Sequence, residues 1–242
     1  MNKDEIHKIC EKYYINNYTI NDDLSIDVDG KVDLSHFYYK DDDPKKLTRL
    51  PLNFNIIRGS FDCDFNNLTS LKGCPKIVEG NFHCNNNKLE TLEYGPEEVQ
   101  GVYNCSTNKL ISLKGSPDYI NKEFVCDHTK IKTFDGAPKY TNYDFFCRAN
   151  NIRTLDKYPK AGGRIILNGN PIQEIGELFI NDNFNNSKER NRINIEYFNE
   201  LGIIQKRGRA TVVVLDRLNY FLQDIGEPEI DGSEIKRMKV LY

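Results

Sequence analysis

Seven cysteines, four histidines and a scatter of aspartates are the side chains of this chain with the widest chemical reach. Thiols can act as nucleophiles, metal ligands or disulfide partners. Five of them, Cys63, Cys84, Cys105, Cys126 and Cys147, stand 21 residues apart. No CxxC-like cluster accompanies them, so the spacing does not suit a structural metal site. An odd number of thiols in a 242-residue chain argues against a secreted disulfide framework. His7, His36, His83 and His128 have no spacing that would pair them, and no two carboxylates are spaced for paired acid and base work. A phosphate-binding loop, a GxGxxG after a strand, an HExxH and a GxSxG are all missing. The expectation is a chain that is not an enzyme and that takes no cofactor or metal. The strongest cationic run is Lys206, Arg207 and Arg209, joined by Lys188, Arg190, Arg192 and Arg217, which could meet phosphate. Tyr197 and Tyr220 are too few to stack bases, and the net charge of -3 sets up no field toward nucleic acid.

The thiols belong to a repeat, and the repeat dictates the elements. Two residues before each stands an aromatic: Phe61, Phe82, Tyr103, Phe124, Phe145. Three residues after each comes Asn66, Asn87, Asn108, Thr129 or Asn150. Leucine or a close relative follows at Leu68, Leu89, Leu110, Ile131 and Ile152, and again three further on, and Pro75, Pro96, Pro117, Pro138 and Pro159 close the units. Residues two apart share one side of a strand, so aromatic and thiol both point inward. Asparagine can then pair with backbone groups freed by a turn. Twenty-one residues leave no room for a helix behind the strand, so the expectation is a parallel-strand solenoid with one strand per turn, backed by extended chain and turns.

The fold class is therefore α/β: a leucine-rich-repeat-like solenoid with a helix-hairpin cap before it and a small α/β unit after it. The expected boundaries are 1–46 for the cap, 47–176 for the solenoid and 177–242 for the C-terminal unit. In the cap, residues 3–14 show helical spacing, and Ser25 to Leu34 alternates around Asp29-Gly30, which reads as a hairpin. In the C-terminal unit, residues 181–194 read as a polar loop or linker. A helix is expected from Ile195 to Leu201, a strand from Thr211 to Leu215 and an amphipathic helix from Asp216 to Ile225. A charged N-terminus and the lack of a long apolar run point to a cytoplasmic protein without a membrane segment.

Between the inward positions, each strand must present others to solvent. The candidate partner-binding residues are Asp62, Asp64, His83, Asn85, Asn104, Val125, Asp127, Phe146, Arg148 and Ile166. Val125, Phe146 and Ile166 form an apolar strip that either docks a partner or is covered by the C-terminal unit. Such a long, shallow surface suits a macromolecule better than a small ligand.

The pattern Phe-x-Cys-x-x-Asn-x-Leu-x-x-Leu-x-Gly-x-Pro, closest in Asn67 to Pro75, resembles the short bacterial and viral class of leucine-rich repeats. Asn17 to Gly30 and Val213 to Leu222 resemble the leader and tail of such proteins in tailed bacteriophages. That resemblance implies a phage protein that binds a protein of the bacterial host and inhibits or redirects it, for example a defence factor. A nucleic-acid-binding accessory using Lys206, Arg207 and Arg209 is the alternative. Secreted effectors that join similar repeats to a cysteine-dependent ubiquitin ligase are also similar, but no cysteine follows Cys147 here, so the nucleophile of that group is missing. Pairing of an edge strand into a dimer is left open.

Overall fold

The computed structural model describes residues 1–36, 46–176, 197–207, 210–225, 227 and 229–241. The chain winds into a parallel β-solenoid with a helix before it and a small α/β unit after it. Each turn contributes two short strands, not one, to two separate sheets. The front sheet stacks Val32–Asp33, Phe61–Asp62, Phe82–His83, Tyr103–Asn104, Phe124–Val125, Phe145–Phe146 and Ile165–Ile166. The back sheet stacks Ile26–Val28, Phe54–Ile57, Ile77–Val78, Glu98–Val99, Tyr119–Ile120, Tyr140–Thr141 and Lys160–Ala161, with Tyr18–Ile20 antiparallel on its outer edge.

A corner joins the two sheets in every turn, and glycine makes it possible. A Cβ at Gly59 would lie 2.6 Å from the carbonyl carbon of Gly30, and one at Gly80 would lie 2.6 Å from that of Gly59. Backbones touch there, so no side chain fits. The same column corrects the expected hairpin. Ile26–Val28 and Val32–Asp33 do not pair with each other; each pairs in parallel with the next turn, as back and front strands. Asp29-Gly30 is a corner of the stack, and the antiparallel partner of Ile26–Val28 is Tyr18–Ile20.

Inside, the aromatic column forms a continuous file, with ring centroids 5.9, 4.9, 5.3 and 5.2 Å apart from Phe61 to Phe145. All five rings and all five thiols beside them are fully buried, and the thiols are free. Burial pushes the Cys84, Cys105 and Cys126 thiols up, which keeps them neutral and unreactive. The asparagine column ties turn to turn. Asn87 Nδ2 donates to the carbonyls of Cys63 and Cys84 at 3.0 and 3.1 Å, and its Oδ1 accepts from Leu68 N–H one turn back at 2.8 Å. Asn66, Asn108 and Asn170 repeat the arrangement.

One regularity is invisible in residue type. The residue just before each asparagine column position is left-handed: Phe65, Asn86, Thr107, His128 and Ala149 have φ between 52° and 56°. The chain reverses at that point, and only glycine takes such a conformation without cost.

At the N-terminal end, Lys3–Lys12 is a helix with a capping box between Asn2 and Glu5, and Ile6 and Cys10 are buried from it. At the other end, residues 197–200 are helical and Gly202 follows with φ +59. Ile204–Arg207 pairs antiparallel with Ala210–Val214, which pairs in parallel with Lys239–Leu241. The helix Leu215–Ile225 buries Leu218, Phe221 and Leu222. Asn199 Nδ2 donates to Leu155 O and an Arg153 guanidinium N–H to Arg237 O, so these bonds join the unit to the leucine edge of the last turns. The expected polar loop over 181–194 lies outside the described residues. Among the described residues, no helix is long and apolar enough to cross a membrane.

Candidate functional site

The front face brings the expected residues into register. Asp33, Asp62, His83, Asn104, Val125, Phe146 and Ile166 follow one another across seven strands. At about 4.7–4.9 Å per strand, the file is about 29 Å long. All seven side chains are partly exposed. Its chemistry changes from charged at the first turn to apolar at the last.

The charged end is a bonded cluster. Lys31 Nζ donates to Asp62 Oδ2 at 2.8 Å and to Asp33 Oδ2 at 3.1 Å. His83 Nδ1 lies 2.8 Å from Asp62 Oδ1, a buried oxygen that finds no partner of hydrogen-bond geometry among the described residues. Burial raises the Asp62 carboxyl, but His83 and Lys31 beside it outweigh that and hold the group below the ordinary carboxylate range. Asp64 is different. Burial and the neighbouring Asp62 charge raise it. These side chains and Ser35 line a shallow hollow of about 330 Å³. Among the described residues, no group of three or more His, Cys, Asp and Glu is placed to hold a metal ion.

The apolar end is partly roofed. Arg148 Cζ sits 5.3 Å from the centroid of the Phe146 ring. Asp127 holds that guanidinium through Oδ2, at 2.8 Å from Nε and 2.6 Å from an Nη, and Oδ1 accepts from Arg148 N–H at 2.6 Å. Asp127 is only 4% exposed. The expectation that it faces a partner is therefore corrected: its carboxylate is consumed by the next turn. Asp144 grips Arg164 in the same way, 20 residues on. Asn85 and Asn104 are half-buried between the two ends, and Asn104 Oδ1 accepts from Ser106 N–H.

Reasoning from one strand per turn missed the back face. Its outward column runs Ile77, Glu98, Tyr119, Tyr140, Lys160. Tyr119 and Tyr140 are exposed, with centroids 5.9 Å apart and planes within 10°. Asp118 and Lys139 pair beside them at 2.6 Å. The signal was available as a 21-residue recurrence of Val78, Val99 and Ile120, β-branched inward residues two positions before the corners. In the C-terminal unit, Lys206 and Arg207 are exposed on a strand, and Arg209, Lys188, Arg190 and Arg192 lie outside the described residues. No family model, curated protein or solved structure matches the chain.

Proposed function

We propose that the protein is a recognition scaffold whose front face docks a protein partner and blocks or redirects it. The supporting observation is the file from Asp33 to Ile166, in which seven partly exposed side chains are held in fixed register and graded from charge to apolar surface. A partner with a basic or polar patch at one end and an apolar ridge at the other complements it. Preorganisation adds to this reading, because strands bonded on both sides lose little freedom on binding. The resemblance of the repeat to those of tailed-phage proteins makes a bacterial host protein, met in the host cytoplasm, the partner of choice. No catalytic step is required of the chain.

A capture experiment from bacterial lysate tests this with three forms of the full chain: the wild type, Val125→Asp with Phe146→Ala on the front, and Tyr119→Ala with Tyr140→Ala on the back. The wild type and the back-face variant should retain one common partner, and the front-face variant should lose it. Retention by a correctly folded front-face variant would place the docking surface elsewhere.

A further inference from the structure

We propose that a small phosphorylated metabolite binds in the cleft between the last turns of the stack and the C-terminal strand pair. The cleft measures about 320 Å³, within the range typical of small-molecule sites. Two units build it. The stack supplies Lys132, Thr133, Arg153, Thr154 and Asp156, and the strand pair supplies Ile204, Gln205, Lys206, Ala210 and Thr211.

The donor set decides the class of ligand. Three cations, Lys132, Arg153 and Lys206, border one cleft against a single carboxylate, Asp156. Several cations of the stack are paired across turns: Lys114 with Glu93, Lys139 with Asp118, Arg148 with Asp127 and Lys157 with Asp135. The three cations of the cleft form no such pair among the described residues, and against one carboxylate they leave an excess of positive charge. Three hydroxyls add to it. Thr133 and Thr154 accept through Oγ1 from Asp135 and Asp156 N–H, so their own protons are free to be donated. Arg153 is half-buried, and one of its five N–H groups is used on Arg237 O at 3.4 Å. The remainder present a fork. A carboxylate has two oxygens for such a set, while a terminal phosphate offers three strong acceptors and a double charge. Ile204 and Ala210 supply apolar wall for a short organic body. The site is a short, half-open cleft with walls from two units, which suits a small molecule better than a nucleic acid backbone tracking a long groove.

Titration calorimetry on the full chain tests the assignment, with inorganic phosphate, AMP and a ten-residue single-stranded oligonucleotide as probes at fixed ionic strength. Phosphate and AMP should bind at one site per chain, AMP more tightly. Lys132→Gln with Lys206→Gln, both exposed and therefore harmless to folding, should weaken AMP at least tenfold. Lys88→Gln with Lys109→Gln, at exposed lysines remote from the cleft in the repeat, should leave it unchanged. No heat from phosphate or AMP at 10 mM, or equal affinity in the cleft variant, overturns the proposal. Binding of the oligonucleotide alone also overturns it, and reassigns the cations to nucleic acid. None of these outcomes depends on whether the front face holds a protein.

Discussion

Asp127 and Arg148 stand one repeat apart and close on each other twice, once through the backbone N–H of the arginine and once through its guanidinium. The carboxylate is buried and the guanidinium is half-exposed, so the pair is a staple between turns whose outer half remains in water. Arg148 then covers Phe146. One aspartate thus fixes the orientation of the arginine that roofs the apolar end of the front face.

Asp127→Ala removes the acceptor from a backbone N–H and frees the arginine. The loss should be about 1–3 kcal/mol, read as a lower urea midpoint with an unchanged slope. Arg148→Ala should cost less, because water can reach the edge of the remaining carboxylate. It should also uncover the Phe146 ring.

The hydroxyl of Tyr103 is buried without a hydrogen-bond partner among the described residues. Every other ring in that column is phenylalanine. Tyr103→Phe should therefore stabilise the fold by about 1 kcal/mol, measured by chemical denaturation. A loss of stability would show that the hydroxyl is satisfied.

Thr107 is β-branched and left-handed, with φ 54°. That backbone costs an L-residue about 1–2 kcal/mol, and asparagine tolerates it better. Thr107→Asn should raise stability by about 0.5–1 kcal/mol. Because Thr107 is exposed, no packing is lost, and the effect should appear in the melting temperature.

Asn87 serves one carbonyl and one N–H of the preceding turn and two carbonyls of its own. Asn87→Ala leaves the buried Leu68 N–H without its acceptor, while the Cys63 and Cys84 carbonyls keep Asn66 and Asn108 as donors. The expected cost is about 1–3 kcal/mol, read as faster hydrogen exchange at Leu68 and its neighbours.

The charged end predicts opposite pH dependences for neighbouring carboxyls. Asp62 is held low by His83 and Lys31, so its contribution is present above its unfolded pKa and is lost as pH falls through the folded one. Asp64 is raised by burial. The folded chain therefore binds more protons there than the unfolded chain, and stability falls as pH rises through that window. Asp64→Asn should raise the melting temperature at neutral pH, and the gain should fade on acidification. Asp62→Asn should lower it at neutral pH, with the difference shrinking as acid is added.

Much of this architecture was legible because the inward positions repeat their chemistry. Cys63 to Cys147 and Asn66 to Asn150 announce a common register, and a fixed register of buried groups forces a stack. The left-handed turn was not legible. Phe65, Asn86, Thr107, His128 and Ala149 share a backbone conformation and no side-chain property, since neighbouring turns impose the strain. The hairpin expected at Asp29-Gly30 failed for a related reason. Alternation around Asp-Gly fits both a tight reversal and a corner, and only the contact between Gly30 and Gly59 separates the two. On the face itself, the exposed column followed from strand alternation alone. The burial of Asp127 did not, because it depends on an arginine 21 residues away.

The corner glycines have a last consequence. Gly59, Gly80 and Gly101 meet at intervals of one complete unit, whereas Gly30 precedes Gly59 by 29 residues. The joints therefore stay aligned although this first interval is longer than the others. Copying or deleting a whole segment of the gene would lengthen or shorten the recognition row by one strand width and leave every remaining joint intact. Reach along the axis is thus a quantity that inheritance can adjust in discrete steps, without redesigning what lies at either end.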